Sequence, residues 1–143
     1  MPKSSRRKAR ILAFQIVYNR QKLGIQTEGE ALHSSFSSLS DDHRQFSHDL
    51  VNTTWQNLER IDQTIQSHLI NWKQSRISIS LNALLRVCSG ELLFFPDTDG
   101  KIVLNEAIEI CKTFVDDSAT GILNGVLHAI WQEMQNQKAG PSA

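Results

Sequence analysis

Residues 80–95 read SLNALLRVCSGELLFF and form the most hydrophobic stretch of the chain. Apolar side chains recur in it at three- and four-residue steps, the spacing that places them on one face of an α-helix. The inward positions are Leu81, Leu84, Leu85, Cys88, Leu92 and Phe95. Pro96 and the polar turn up to Gly100 end the segment, because proline cannot continue a helix. We therefore predict that residues 80–95 form the central core helix.

The rest of the chain shows the same helical spacing, and no segment combines strict alternation with β-branched residues and hairpin turns. Predicted helices cover residues 5–21, 30–38, 40–69 with a break between 53 and 57, 103–114 and 119–135. Ser40 is the expected N-cap of the third, since its hydroxyl can accept a backbone N–H bond. At 143 residues and 40% hydrophobic content, the chain is predicted to be one compact all-α domain, residues 1–143, with a disordered tail at 138–143.

Cys88 and Cys111 lie 23 residues apart, inside apolar helical patterns and without C-x-x-C spacing. Buried reduced thiols are therefore expected, rather than a disulfide or a metal pair. No run approaches the ~18 apolar residues of a membrane span, and no hydrophobic signal core follows the basic N-terminus. A soluble, cytoplasmic protein is predicted.

Charge is divided unevenly along the chain. The first 27 residues carry seven basic and no acidic side chains, and the other 116 carry eight basic and fifteen acidic ones. On a helical projection of about 100° per residue, one arc of the first helix carries Lys3, Arg6, Arg7, Arg10, Phe14 and Tyr18. Lys8 falls outside this arc. The core face of the helix is separate from the basic-aromatic arc. Guanidinium groups pair with phosphate and aromatic rings stack on bases, so the basic-aromatic face predicts a site for single-stranded nucleic acid.

Other interpretations of this face stay open. A basic helix end is often simply solvated, Phe14 and Tyr18 can pack into the core, and a membrane-surface helix would have only those two rings to insert into lipid. The sequence contains no P-loop, G-x-S-x-G elbow or H-E-x-x-H motif. The histidines lack partners at ligand spacing, and Glu106 and Glu109 share a helix face without forming an evident catalytic pair. No enzymatic activity, cofactor or metal is expected.

Four blocks of sequence resemble the NusB family of bacterial transcription antitermination factors. The first is RRKAR at residues 6–10, followed by Ala13, Gln15 and Tyr18. The others are ALLRV at residues 83–87 followed by Glu91 and Leu92, LNEAIEICK at residues 104–112, and NGVL at residues 124–127. Their order and spacing agree with the family pattern over nearly the whole chain.

The resemblance implies an all-α fold of about seven helices without catalysis or cofactor. It also implies that the protein pairs with ribosomal protein NusE, recognises boxA-type single-stranded RNA with it, and joins the elongating RNA polymerase complex with other Nus factors at ribosomal RNA operons. A homodimer stays open as an alternative. By position, the resemblance implies RNA-binding roles for Lys3, Arg6, Arg7, Lys8, Arg10, Gln15, Tyr18 and Ser118.

Other matching positions are interpreted as structural: Arg86, Glu91, Asn105, Glu106, Asn124 and Gly125. Asn105 is expected to help cap a helix that begins beside it. Glu106 is expected to pair with Arg86 inside the fold, because a buried charge needs a partner. Gly125 is expected to allow close packing against another helix, since a mid-helix glycine otherwise costs about 1 kcal/mol relative to alanine.

The chain departs from the family pattern at Leu81, Gly90, Gly121, Ile122 and His128. The first two are expected to alter the partner face, and the last three the RNA affinity or base preference of the last helix. His128 would add a positive charge there when protonated. Two alternatives therefore remain: a protein-interaction module of the same fold with weakened RNA binding, and a stand-alone relative of the N-terminal RNA-binding module of ribosomal RNA cytosine methyltransferases.

Overall fold

The structure, a computed structural model, describes residues 2–23 and 39–138, with side chains described from Arg6 onward. Within these ranges it contains no strand, which confirms the predicted all-α class. Its six α-helices are α1 (Pro2–Leu23), α2 (Asp41–Gln56), α3 (Leu58–Ser67), α4 (Ile79–Phe94), α5 (Gly100–Phe114) and α6 (Thr120–Lys138). The helix predicted over 30–38 and the tail after residue 138 lie outside the described residues.

Local hydrogen bonds explain where these helices begin. The hydroxyl of Ser40 accepts from the backbone N–H of His43 at 3.3 Å, which confirms the predicted N-cap of α2. The predicted break is also confirmed, because α2 ends at Gln56 and α3 begins one residue after Asn57. Ser78 caps α4 in the same way, accepting from the N–H of Leu81 at 3.1 Å.

The predicted start of α5 is wrong. The helix begins at Gly100, and the side chain of Asp99 caps it by accepting from the backbone N–H of Lys101 at 2.9 Å. Asn105 is therefore an exposed residue inside the helix and not its cap. The reason is that the turn after Pro96 already supplies a carboxylate acceptor, so the helix starts there.

Helix α4 is the centre of the fold and packs against α1, α2, α3, α5 and α6. The predicted inward positions are buried, except that Phe95 is only partly buried. Cys88 and Cys111 are both buried and form no disulfide, as predicted, and burial raises the pKa of both thiols. None of the helices described is long and apolar enough to span a membrane.

Gly90 and Gly125, both singled out from the sequence, differ in how closely other residues approach them. A Cβ on Gly90 would lie 2.8 Å from the hydroxyl oxygen of Thr54, so α4 approaches α2 too closely there for any larger side chain. A Cβ on Gly125 would meet nothing within 4 Å. The prediction that Gly125 packs closely against another helix is therefore wrong, since it lies on the exposed side of α6.

Candidate nucleic-acid interface

Arg10 lies inside the fold, between α1 and α4. Its Nε and Nη2 donate to the two carboxylate oxygens of Glu91 at 2.8 and 2.7 Å. The side chains of Arg10 and Glu91 are 4% and 0% exposed. Burial lowers the pKa of the Arg10 guanidinium, but the hydrogen bonds and charge of Glu91 outweigh it and the pKa rises. The prediction of a solvent-facing Arg10 is wrong, because Glu91 holds this side chain in the core.

Arg7 lies where α1 contacts α5, and its side chain is only partly exposed. Its Nε and Nη2 donate to the carboxylate of Glu106 at 2.8 and 2.7 Å, and these hydrogen bonds raise the pKa of Arg7. Arg7 is 43% exposed at the side chain, whereas Glu106 is 9% exposed. Nη1 of Arg10 lies 3.9 Å from Oε1 of Glu106. The two ion pairs therefore form one network that joins α1 to α4 and α5.

Arg86 does not belong to this network, so the predicted pair of Arg86 with Glu106 is wrong. Nε and Nη2 of Arg86 each donate at 2.8 Å to the carboxylate of Asp62 on α3. Arg86 points from α4 toward α3, whereas Glu106 points from α5 toward α1. Although Arg86 and Glu106 carry opposite charges, they therefore face different neighbours.

Arg6 is exposed and stacks on an aromatic ring of α2. Its Cζ lies 4.1 Å from the ring centroid of Phe46. The same ring has Cζ of Arg10 at 5.5 Å and contacts Phe95 edge-on, with centroids 5.8 Å apart. Among the residues described, Arg6 forms no ion pair. The N–H edge of its guanidinium is thus available to an anion.

Lys8 is also exposed and forms no ion pair with any residue that the structure describes. Lys3 lies in α1, but its side chain is outside the described ones. We call Arg6 and Lys8 the outer pair, and Arg7 and Arg10 the inner pair. The basic cluster of the sequence thus divides into two side chains that face solvent and two that face carboxylates.

The aromatic part of the predicted face is largely core. Phe14 is buried, and its ring centroid lies 6.5 Å from that of Tyr18 and 6.4 Å from that of Phe114 on α5. Phe14 therefore cannot serve as a base platform in this arrangement. Tyr18 is partly buried, and its hydroxyl accepts from Nζ of Lys22 at 3.3 Å. Gln15 is also partly buried.

Ser118 lies in a short 3₁₀ turn, Asp117–Ala119, between α5 and α6. It is exposed, and its backbone N–H donates to the carboxylate of Asp116 at 3.1 Å, which lowers the pKa of Asp116. The turn follows Phe114, the residue of α5 that contacts Phe14. Ser118 thus lies beyond the α1–α5 contact, whereas the outer pair lies near the start of α1.

The positions of α6 that differ from the family pattern lie at or near the protein surface. Gly121 and His128 are exposed, Ile122 is partly buried, and a Cβ on Gly121 would meet nothing within 4 Å. Asn124 is exposed on the same helix. Gly121 has no side chain and so adds no positive charge to this surface. No group of three or more potential metal ligands occurs among the residues described.

Phe46 is the contributor that sequence reasoning missed. It falls within the predicted helical segment 40–69, and nothing in the sequence assigns it a functional role. Its contact with Arg6 depends on the way α2 crosses α1, and nothing near Phe46 in the sequence signals that crossing. The one available signal was an aromatic residue at the start of α2, which does not identify a cationic partner.

Comparison with known proteins agrees with this architecture. A sequence model described as the NusB family matches residues 7–132. The transcription antitermination protein NusB of Bacillus licheniformis is 34% identical over 130 residues, which are 91% of this chain and 98% of that protein. The protein of the same name from Lysinibacillus sphaericus is 46% identical over 78 residues, which are 54% of this chain and 61% of that protein. The chain thus spans less than two thirds of the length of the second relative.

A solved structure shares the fold. The chain superposes with a TM-score of 0.79 and 26% identity on a chain from a crystal structure of antitermination factors NusB and NusE in complex with double-stranded RNA. The superposition covers 91% of this chain and 98% of the other.

Proposed function

The chain belongs to the NusB family, and on that premise we propose that it is a transcription antitermination factor that binds boxA-type single-stranded RNA together with ribosomal protein NusE. The observation that carries the proposal is the start of α1, where exposed Arg6 and Lys8 project from a helix fixed by two internal ion pairs. Support comes from the relatives, which carry the name of a transcription antitermination protein rather than of an enzyme. The superposed crystal structure contains NusB and NusE in complex with double-stranded RNA, which supports the partner and RNA binding in general.

In this proposal the outer pair binds phosphate oxygens. Guanidinium and ammonium groups without a carboxylate partner can bind phosphates without first breaking an ion pair, and at the surface they stay partly hydrated in the contact. The inner pair acts indirectly: Arg10 with Glu91 and Arg7 with Glu106 fix α1 against α4 and α5. Phosphate contacts position the RNA and base contacts specify its sequence, so sequence would be read jointly with NusE.

Four further residues complete the proposed surface: Lys3, Gln15, Tyr18 and Ser118. Tyr18 and Gln15 follow the outer pair along α1, and Ser118 lies past the contact between α1 and α5. A single RNA strand that begins at Arg6 and runs along α1 would approach Tyr18 and then the turn that carries Ser118. The strand would thereby meet charge first and a partly exposed aromatic ring later, as expected for single-stranded RNA.

The charge of the rest of the chain supports a basic partner. Residues 28–143 carry fifteen acidic and eight basic side chains, which favours association with a basic protein such as a ribosomal protein. We propose that the complex with NusE then joins the elongating RNA polymerase, with other Nus factors, at ribosomal RNA operons.

The test is RNA binding with and without NusE, using a boxA-type strand, a scrambled strand of equal length, and the boxA-type sequence as a duplex. We expect the boxA-type strand to bind more tightly than both controls, and NusE to increase that difference. Equal affinity for all three would reduce the protein to a non-specific polyanion binder. Measuring the mass of the protein in the same buffer shows whether a homodimer masks the basic end of α1.

A second candidate is a protein-interaction module with weakened RNA binding. Two observations favour it: the inner pair is neutralised internally, and Gly121 offers no charge on α6. This candidate predicts that the protein binds NusE while the complex discriminates poorly between boxA-type and scrambled RNA.

A further inference from the structure

We propose that Phe46 is a positioning residue for RNA binding, because its buried ring holds the Arg6 guanidinium at the surface where a phosphate would be bound. The role rests on the function proposed above. It adds a residue of α2 to a surface otherwise assigned to α1 and the turn before α6.

The first step is the geometry of the stack. Cζ of Arg6 lies 4.1 Å from the ring centroid of Phe46, within the range of a cation–π contact. At this distance the planar guanidinium can lie face-on to the ring, which leaves its in-plane N–H groups free to donate to two phosphate oxygens. Arg6 can therefore keep its contact with Phe46 while it binds RNA.

The second step is the rigidity of the ring itself. Phe46 is 7% exposed, and Phe95 contacts its ring edge-on. Arg10 lies against the same ring, with Cζ 5.5 Å from the centroid, and is itself held by Glu91. Because Glu91 balances the charge of Arg10, Arg6 can share the ring with little repulsion.

The third step is the consequence for binding. A long side chain that is mobile in the free protein loses rotamer freedom when it grips a phosphate, and this loss weakens association. Arg6 has already lost much of that freedom on Phe46. Lys8 has no comparable support among the described residues, so Arg6 should contribute more than Lys8 to RNA affinity.

A purely structural role for Phe46 makes a different prediction. As one more core residue, Phe46 would affect RNA binding only through the stability of the fold, whatever stands at position 6. A positioning role requires instead that the effect of Phe46 disappears when Arg6 is removed. A double-mutant cycle separates the two.

The experiment measures binding of a boxA-type RNA strand by the full chain and by Phe46→Leu, Arg6→Ala and the double variant. Phe46→Leu should weaken binding about three- to fivefold in the presence of Arg6, and should have no further effect in the Arg6→Ala background. The matched control is Phe94→Leu, which removes the ring 5.2 Å from Cζ of Arg60 on α3 and should leave RNA affinity unchanged. NMR provides a second readout, because the ring-current shift of the Arg6 side-chain protons should vanish in Phe46→Leu.

Equal weakening by Phe46→Leu in both backgrounds would overturn the positioning role, and so would unchanged affinity in the presence of Arg6. In either case RNA binding by the wild-type chain would leave the proposed function standing. Failure of the wild-type chain to bind RNA, with or without NusE, would overturn both the function and this role.

Discussion

The outer pair and the inner pair of α1 lie within five consecutive residues and differ in solvent exposure and in charge partners. Arg6 and Lys8 face solvent, whereas Arg7 and Arg10 donate to carboxylates from α5 and α4. The four side chains carry four positive charges and their two carboxylate partners carry two negative ones, which leaves a net charge of two. A run of basic residues thus supplies both the two solvent-facing cations of the proposed RNA-binding surface and the internal contacts that fix α1.

The largest expected effect is on stability and concerns the inner pair. Arg10→Ala leaves the fully buried carboxylate of Glu91 without a partner, so the free energy of unfolding should fall by about 3 to 5 kcal/mol. Urea unfolding measures it. The control is Arg44→Ala, which removes an exposed pair with Asp41 on α2 and should change the same free energy by less than about 1 kcal/mol. Similar small losses in both variants would contradict the structural role of Arg10.

The next effect is on RNA binding and concerns the outer pair. Arg6→Ala/Lys8→Ala should lower affinity for a boxA-type strand about tenfold, because two charge-assisted contacts to phosphate are lost. Its free energy of unfolding should stay within about 1 kcal/mol of the wild-type value, since both side chains are exposed. The matched control, Arg60→Ala/Lys73→Ala, removes the same two residue types from exposed positions elsewhere. If that control weakens binding equally, the effect is one of net charge and not of a site.

The smallest expected effect is on RNA affinity and tests whether Arg7 belongs with the inner or the outer pair. Glu106→Gln removes the carboxylate that competes with phosphate for the partly exposed Arg7, so RNA affinity should rise about two- to threefold at low salt. Glu109→Gln removes the same charge from an exposed position on α5 and should produce a smaller rise. A fall in affinity for Glu106→Gln would place Arg7 with the outer pair, as a phosphate ligand that Glu106 orients.

Much of the fold could be predicted because its signals are local. The apolar spacing of residues 80–95 defines a helix face without reference to other elements, and the hydroxyl of Ser40 caps the helix that it precedes. The wrong predictions concern positions where the sequence allows two local arrangements. Asp99 and Asn105 are both plausible caps, and only the path of the turn after Pro96 selects Asp99. Gly125 was assigned to a contact, but the side of α6 on which it lies depends on packing.

The sequence identifies the basic residues at the start of α1 but not the directions in which their side chains point. A helical projection shows that Arg6 and Arg10 share an arc, but the carboxylates that divide the cluster lie far along the chain. Glu91 is 81 residues from Arg10, and Glu106 is 99 residues from Arg7. Distances of that kind are set by tertiary packing. The same reason hid Phe46, whose ring reaches Arg6 only after α2 crosses α1.

The most direct test of the difference between the pairs is the salt dependence of RNA binding in two double variants. Arg6→Ala/Lys8→Ala removes the outer pair's charges. Arg10→Met/Glu91→Leu replaces the buried ion pair with apolar side chains, which often preserves or increases stability. Each phosphate contact on a single strand contributes about −0.7 to the slope of log K against log salt concentration. We predict that the slope becomes less negative by about 1.4 in the outer variant and is unchanged in the inner one. An equal loss of slope in the inner variant, with its fold intact, would contradict the division of α1 into a phosphate-binding outer pair and a structural inner pair.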